Sequence, residues 1–372
     1  MSIDENKDPL EHQKPLESVE STNSFSTSSN PLSENIPPVS EPIVPIPEHS
    51  PWQQNQLNLS KVSDTVDKVK SEIQKVIIGQ HDMMDLLLTA LFCGGHVLLE
   101  GVPGIAKTLS AKLMSQTMDT EFNRIQFTPD LMPTDVTGTN IFNMKTSEFF
   151  FSSGPIFSNI VLIDEINRAP AKTQASLFEV MEEYQVTIDG VTYPMSFPFF
   201  VIATQNPIEQ EGTYKLPEAQ LDRFLFKINM QYPSLDEEKE ILKRFKNDFK
   251  IKSKEDVKAV CTPADIKECQ ELIEQVHIKD ELLDYIAGII HHTRNSGDLF
   301  LGASPRASLA IMKASKAIAA INGRDFVTPD DIQYIAYPVL NHRIILTPER
   351  EMEGYDAKSV IDEIVKKVEV PR

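Results

Sequence analysis

The sequence GHVLLEGVPGIAKT occupies residues 95–108 and combines three local patterns. Its apolar run, Val97–Leu99, has the character of a buried β-strand. A glycine-rich turn, Gly101–Thr108, follows this run, and Leu109 and Leu113 mark a helix after the turn. A turn between a strand and a helix can direct backbone N–H groups at phosphate oxygens, and the helix dipole adds to this attraction. The order of strand, turn and helix therefore predicts a phosphate-binding P-loop.

Two side chains at the end of this turn suit nucleotide chemistry. Lys107 would reach the β- and γ-phosphates, and the hydroxyl of Thr108 would ligate Mg²⁺. The usual pattern has glycine before the lysine, whereas this chain has Ala106, which costs little if its φ is negative. The alternative is a glycine-containing turn without a nucleotide. The predicted nucleotide-contacting residues of the turn are Gly101, Val102, Pro103, Gly104, Ile105, Ala106, Lys107 and Thr108.

A second apolar run, Ile160–Ile163, ends in two carboxylates, Asp164 and Glu165. Ligands of open α/β sheets bind at the carboxyl ends of the strands, which brings Asp164 beside the P-loop. Asp164 is suited to hold Mg²⁺, directly or through water, and Glu165 to polarise the attacking water as general base. The alternative is an ordinary strand that ends in acidic loop residues.

Strand-like and helix-like segments alternate between residues 61 and 231. The five strand candidates are Val97–Leu99, Phe122–Phe127, Ile160–Ile163, Phe199–Ala203 and Phe224–Phe226. Apolar strands separated by helices indicate a parallel sheet covered on both faces. Residues 232–372 are predicted to be mostly helical, because Ser234–Glu237 has capping-box spacing and hydroxyl–proline pairs mark further helix starts. The predicted fold class is α/β, a five-stranded parallel sheet with a C-terminal α-helical domain.

Residues 1–60 differ from the rest of the chain. They hold nine of the 25 prolines, 11 serines and no glycine, and their net charge is −7. Such a segment buries too little apolar surface to offset the entropy of ordering, so it is predicted to be a disordered tail. An alternative is a docking arm that uses residues 43–46. The predicted domains are therefore 1–60, 61–231 and 232–372.

Composition narrows the class of protein. The 372 residues carry a net charge of −19, which argues against broad nucleic-acid binding. No apolar run reaches the roughly 18 residues of a membrane span, so membrane insertion is not expected. Three cysteines are too few for a disulfide framework, and a reducing, cytoplasmic compartment fits best.

Four motifs together resemble the MoxR family of AAA+ ATPases, in its helix-2-insert branch. They are GHVLLEGVPGIAKT at 95–108, IDEINRA at 163–169, ATQNP at 203–207 and LPEAQLDRF at 216–224. The resemblance covers roughly residues 61–360, and alanine at position 106 is itself typical of that family. It implies a P-loop AAA+ core with a helical lid domain.

The resemblance also implies roles for residues outside the P-loop. Asn206 matches the sensor of the lytic water, with a turn-forming Asn as the alternative. Arg223 matches the finger supplied to a neighbouring subunit, unless it pairs locally with Glu218 or Asp222. Arg306 matches the second sensor of the lid, or else is a solvated arginine. Ile78 and Gly79 match the segment beside the adenine, although an ordinary helix-end turn explains them almost as well.

Two insertions resemble hairpins that face partners or the central pore in related machines. The first spans 140–154 and contains Phe149–Phe151, and the second, 187–193, has an Asp-Gly turn between alternating flanks. Packing at a sheet edge is the simpler interpretation of the phenylalanines. Lys145 is the one basic residue in the two segments, which disfavours a DNA translocase.

These observations predict an Mg²⁺-dependent ATPase that binds ATP and completes its sites at subunit interfaces. By resemblance it forms a hexameric ring and remodels or activates partner proteins, often ones with a von Willebrand factor A domain. The rivals are a DNA-dependent motor, a subunit of a metal-chelatase motor, and a non-hydrolysing, nucleotide-switched scaffold. The scaffold would keep Lys107 but would need neither Glu165 nor Arg223.

Overall fold

The computed structural model describes residues 58–102, 104–207, 212–246 and 257–371. Nearly all of the predicted tail, and Pro103 of the predicted P-loop, lie outside the described residues. Leu59 is buried, and a helix begins at Ser60. The boundary between the tail and the next domain stays a prediction.

A parallel five-stranded sheet forms the centre of the fold, as predicted. The strands of the described residues are β1 (Val97–Glu100), β2 (Phe122–Gln126), β3 (Gly138–Asn143), β4 (Glu148–Ser153), β5 (Ile160–Asp164), β6 (Gln185–Ile188), β7 (Val191–Pro194), β8 (Phe200–Gln205), β9 (Phe226–Asn229), β10 (Leu299–Leu301) and β11 (Ile345–Leu346). The order in the central sheet is β2-β5-β8-β1-β9. Because its strands are parallel, their carboxyl ends meet at one edge.

The fifth strand candidate was placed too early. The strand is Phe226–Asn229, and Phe226 pairs with Val97 at the start of β1. Phe224 instead closes a turn, donating its backbone N–H to the carbonyl of Leu221. Phe224 is fully buried, so its aromatic side chain belongs to the core and not to the strand.

Helices cover both faces of the sheet and make up most of the C-terminal part. They are α1 (Ser60–Gln74), α2 (His81–Phe92), α3 (Lys107–Thr117), α4 (Pro133–Thr137), α5 (Ala171–Glu183), α6 (Glu218–Leu221), α7 (Leu235–Phe245), α8 (Pro263–Glu274), α9 (Asp280–Asn295), α10 (Pro305–Ile321), α11 (Pro329–Leu340), α12 (Pro348–Met352) and α13 (Ala357–Lys367). The predicted capping box at Ser234 begins α7, and the pairs at Thr262, Ser304 and Thr328 begin α8, α10 and α11. None of these helices is long and apolar enough to cross a membrane.

Alternation along the strands divides the core between the two faces of the sheet. Val97 and Leu99 belong to one apolar cluster, which also contains residues of α1, α2, α3 and the C-terminal helices. Leu98 belongs to a second cluster, which is built with α5. The first cluster contains residues of both the sheet and the C-terminal helices. The domain boundary between residues 231 and 232 stays a prediction.

Candidate functional site

The carboxyl edge of the sheet carries a pocket of about 300 Å³. Four strands deliver its side chains: β1 leads into the P-loop, and β2, β5 and β8 end beside it. The lining residues are Gly101, Gly104, Ala106, Lys107, Thr108, Arg124, Gln126, Asp164, Glu165, Thr204 and Asn206. The structure therefore brings the predicted lysine, hydroxyl, carboxylates and sensor asparagine together.

The P-loop backbone enters the left-handed region twice. Gly104 has a φ of 89°, which glycine adopts without steric cost. Ala106 has a φ of 62°, so the condition for a low-cost alanine, a negative φ, is not met. A left-handed L-residue costs roughly 1–2 kcal/mol. Val102 and Ile105 pack against the apolar core, so only their backbone groups can serve a phosphate.

Lys107 is held inside the loop in this state. Its ammonium donates a hydrogen bond to the carbonyl of Gly101. Burial lowers the pKa of Lys107, and the nearby carboxylates of Asp164, Glu100 and Glu165 oppose that shift. The pocket thus contains one lysine ammonium among acidic groups, and a phosphate could attract this ammonium from the Gly101 carbonyl.

Asp164 and Thr108 provide the donor set expected for Mg²⁺. The Asp164 carboxylate is buried, and its Oδ1 accepts a hydrogen bond from the Thr204 hydroxyl at 3.2 Å. Its Oδ2 lies 2.5 Å from the Arg124 Nε, so a cation already occupies that oxygen. Mg²⁺ is usually held by one or two carboxylates together with substrate phosphates and water. A buried carboxylate and a hydroxyl beside a P-loop fit this requirement.

Glu165 is orientated by its backbone and by two neighbours. Its φ is 56°, in the left-handed region. Its backbone N–H donates to the Thr204 hydroxyl at 3.1 Å, and its Oε2 accepts from Gln126 Nε2 at 2.8 Å. Arg168 Nε lies 3.0 Å from the same oxygen. These contacts hold the carboxylate at the rim of the pocket, where it could accept a proton from water.

Ile78 and Gly79 do not line this pocket. They are half-buried, and the following residue, Gln80, donates a hydrogen bond to the carbonyl of Gln231 at 3.1 Å. Gly101 packs against Met230, the neighbour of Gln231. Residues 230 and 231 therefore connect this segment to the first residue of the P-loop. This position is compatible with the base of a nucleotide, and equally with the turn after α1.

Arg223 and Arg306 converge at the opposite, amino edge of the sheet. Arg223 Nη2 lies 2.8 Å from one carboxylate oxygen of Glu182, and Arg306 Nη2 lies 2.5 Å from the other. Glu182 is near the end of α5, which runs back from the carboxyl edge. The four residues of β1 separate this cluster from the P-loop by roughly 13 Å. Neither arginine lines the phosphate pocket of its own chain.

Both alternatives for these arginines named the wrong surroundings. Arg223 pairs with Glu182, which lies 41 positions away, and not with Glu218 or Asp222. Arg306 is half-exposed, but it is not simply solvated, since it pairs with the same carboxylate. The anionic partner offsets the unfavourable position of a cation in the first turn of α10, where the helix dipole is positive.

Sequence reasoning missed several polar residues of the two edges. Arg124 and Gln126 flank Ile125 in β2, and this alternation could have shown that both share one face of the strand. Thr204 is a polar residue near the end of an apolar strand, which is a weaker signal. Glu182 carried no local signal, because its role depends on contacts from distant parts of the chain.

Both predicted hairpins are present and lie side by side. They are β3–β4 and β6–β7, with Asp189 and Gly190 in the left-handed region at the turn of the second. Phe151 stacks on Tyr193 at 4.1 Å, which agrees with edge packing. Phe149 and Phe150 are 71% and 49% exposed, so edge packing does not explain them.

Comparisons with known proteins agree with this geometry. A family model described as "ATPase family associated with various cellular activities (AAA)" matches residues 96–226, and one described as "AAA lid domain" matches 291–364. The chain is 48% identical to the uncharacterised protein YeaC of Bacillus subtilis, over 82% of this chain and 94% of that protein. It is 42% identical to Chaperone MoxR1 of Mycobacterium tuberculosis, over 83% of each chain.

A solved structure provides a third comparison. A protein of Cytophaga hutchinsonii, named as a candidate ATPase, superposes with a TM-score of 0.78 at 44% identity. The match covers 84% of this chain and 96% of that one. At this identity, the likeness concerns both the fold and the family.

Proposed function

Because the chain belongs to the MoxR family of AAA ATPases, we propose that it hydrolyses ATP with Mg²⁺ in a ring whose active sites are completed between subunits. Membership of the family supports ATPase activity. Sites shared between the subunits of a ring require separate support. One observation provides this support: Arg223 and Arg306 meet at the amino edge, away from the phosphate pocket of their own chain.

The carboxyl edge supplies the ground-state contacts of the reaction. P-loop N–H groups and Lys107 would bind the phosphates, and Thr108 and Asp164 would hold Mg²⁺, which neutralises phosphate charge when bound. Glu165 would accept a proton from the attacking water, with Asn206 orientating that water. Gln126 and Thr204 already contact Glu165 and fix its position.

The amino edge supplies cations to a neighbour. Two guanidinium groups on one carboxylate form a cluster that can exchange Glu182 for a phosphate, because phosphate offers similar oxygen acceptors and more negative charge. Such an arginine from another subunit is worth about 10³–10⁵ in rate in comparable phosphoryl transfers. In a closed ring with one interface type, each subunit would both donate and receive these arginines.

We also propose that the work of hydrolysis is remodelling or activation of partner proteins. The name of the relative Chaperone MoxR1 supports a chaperone-like role. The exposed hairpin residues Ile141, Phe142, Met144, Phe149 and Phe150 offer an apolar contact surface, which suits a protein partner better than a polyanion. Proteins with a von Willebrand factor A domain are the partner class implied by the family resemblance.

The test is the ATPase rate per subunit, measured against protein concentration with Mg²⁺. We expect the rate to rise to a plateau, and Arg223→Ala to reduce the plateau by about 10³-fold or more. Lys215→Ala is the control, because Lys215 is exposed and its ion pair with Glu218 at 3.1 Å lies three positions away in the same surface segment. A rate per subunit that is independent of concentration and of Arg223 would exclude the interface model.

A further inference from the structure

Arg343 is a buried cation of the C-terminal domain whose hydrogen bonds are complete. Its side chain is 3% exposed, and all five guanidinium N–H donors are used. Nε donates to Asp222 Oδ1 at 2.7 Å. Nη1 donates to the carbonyls of Leu225 at 3.1 Å and Val339 at 2.6 Å. Nη2 donates to the carbonyls of Asp222 at 2.9 Å and Phe224 at 2.6 Å.

Four of these five acceptors belong to residues 222–225, the segment that carries Arg223. The backbone carbonyls of the residues before and after Arg223 are both fixed. His342 Nε2 also donates to the carbonyl of Phe224, at 3.0 Å. The C-terminal domain therefore holds the main chain on either side of Arg223.

The segment 222–225 also contacts α10, the helix that carries Arg306. Ser304, the N-cap residue of α10, donates its hydroxyl to Asp222 Oδ2 at 2.9 Å. The Asp222 carboxylate thus receives Arg343 on one oxygen and Ser304 on the other. Arg306 lies in the first turn of α10. The half-buried Asp222 carboxylate therefore links the segment that carries Arg223 to the helix that carries Arg306.

Stability alone does not account for this arrangement. Burial lowers the pKa of Arg343 and the Asp222 carboxylate opposes that shift, so the charge is retained at a desolvation cost. Well-packed apolar residues often replace buried ion pairs without loss of stability. A guanidinium with every donor directed at a fixed acceptor does provide one thing that apolar packing lacks, which is a defined backbone geometry.

We propose that Arg343 is a positioning residue that holds Arg223, and through Asp222 and Ser304 also Arg306, in the geometry that reaches the nucleotide of a neighbouring subunit. This inference rests on the proposed function, because it requires Arg223 to act across an interface. In this proposal, the C-terminal domain helps to form the surface that presents Arg223 and Arg306 to the neighbouring subunit. Since all five donors of Arg343 are engaged within its own chain, its proposed role is to position other residues and not to bind phosphate.

The first experiment compares Arg343→Lys with the wild type and with Arg324→Lys. Lysine keeps the charge but has three donors on one atom, so it cannot bridge acceptors spread over residues 222–225. We expect the plateau ATPase rate of Arg343→Lys to fall by about 10²-fold, the effect of a misplacement of about 1 Å. Arg324 is a matched control, since it pairs with Asp331 within the C-terminal domain.

Two further readouts separate positioning from a general defect. The affinity of Arg343→Lys for a fluorescent ATP analogue should stay within twofold of the wild type, because its own pocket is untouched. An equimolar mixture with Lys107→Ala should recover activity, since intact pockets then meet intact Arg223 at roughly a quarter of the interfaces of a random ring. A wild-type rate for Arg343→Lys, or no recovery in that mixture, would overturn the inference.

A reference mixture keeps the two proposals apart. Arg223→Ala mixed with Lys107→Ala should also recover activity, and its failure would contradict the proposed function itself. Recovery there, with none for Arg343→Lys, would contradict the role of Arg343 alone. If Arg343→Lys loses its cooperative thermal transition, Asp222→Asn replaces it, and the same loss and recovery are expected. A full rate for Asp222→Asn would then reject the positioning role.

Discussion

The two edges of one parallel sheet differ in how complete they are. At the carboxyl edge, Lys107, Asp164 and Glu165 line one pocket, and each contacts a neighbour from its own chain. At the amino edge, Arg223 and Arg306 face each other across Glu182, and neither lines the P-loop pocket. One edge can bind a nucleotide within a single chain, while the other has cations whose proposed ligand belongs to the next chain.

This difference follows from topology. The P-loop and the acidic residues are placed at one edge because the strands that precede them are parallel. The arginine cluster instead depends on α5 running back to the amino edge and on α10 packing against α2 beside it. The arginine cluster joins three separate segments, so contact with a neighbouring subunit can change its geometry. The P-loop is a local feature of one strand and one helix.

The largest expected effect is a loss of hydrolysis at the carboxyl edge without a loss of ATP binding. Glu165→Gln removes the predicted proton acceptor and keeps the size of the side chain, so hydrolysis should fall by about 10²–10⁴-fold. ATP binding should remain, because Lys107 and the P-loop are unchanged. Single-turnover hydrolysis and filter binding on the same sample measure both quantities. A normal turnover rate would show that a group other than Glu165 accepts the proton of the attacking water.

Acid should lower the free energy of unfolding through His96, which is buried at the amino edge just before β1. His96 Nε2 donates to the carbonyl of Met181 at 3.0 Å, and Nδ1 accepts from the N–H of Val201 at 3.1 Å, which leaves no place for a second proton. Burial accordingly lowers the pKa of His96 to about 4. The unfolded chain, with a histidine pKa near 6.5, binds that proton at higher pH.

The folded state should therefore be fully stable above about pH 6.5 and lose up to about 3 kcal/mol as the pH falls towards 4. His342 is also buried, with its pKa lowered well below the usual value, and it adds to the same trend. Urea unfolding at several pH values measures the slope. His96→Gln should flatten it, and an equally steep slope in that variant would assign the effect elsewhere.

A smaller effect is expected from the carboxylate that separates the two arginines. Glu182→Gln removes the charge that competes with an incoming phosphate for Arg223 and Arg306. Partly exposed ion pairs contribute roughly 0.2–1 kcal/mol each, so the two pairs together contribute roughly 0.4–2 kcal/mol. The protein concentration at half-maximal ATPase rate should therefore fall by a factor of about 2 to 30. Glu183→Gln is the neighbouring control. A higher half-maximal concentration would mean that Glu182 aligns the arginines during catalysis.

The smallest effect concerns strain at the carboxyl edge. Ala106→Gly relieves a left-handed alanine but gives the unfolded chain more freedom, so the unfolding free energy should rise by at most about 1 kcal/mol. Ala264→Gly, at an exposed helical position in α8, should lower it by a similar amount. An equal fall in the unfolding free energy of both variants would show that the left-handed conformation of Ala106 does not destabilise the folded state.

Local patterns predicted much of the fold and of one edge. Apolar runs located four of the five central strands, and hydroxyl–proline pairs located three helix starts. The fifth strand was misplaced because Phe224 is as apolar as a strand residue while packing in the core before the strand begins. Gln126 was missed although its alternation in β2 was visible, because a lone amide has no motif.

The sequence by itself determined the chemistry of the carboxyl edge. A P-loop and a strand ending in two carboxylates are local signals, and parallel pairing places their ends together whatever the rest of the chain does. Only the tertiary structure decided the amino edge. Glu182, Asp222 and Arg343 act through contacts between segments far apart in the chain. No spacing rule encodes such contacts, since they exist only once segments that are distant in the sequence pack against each other.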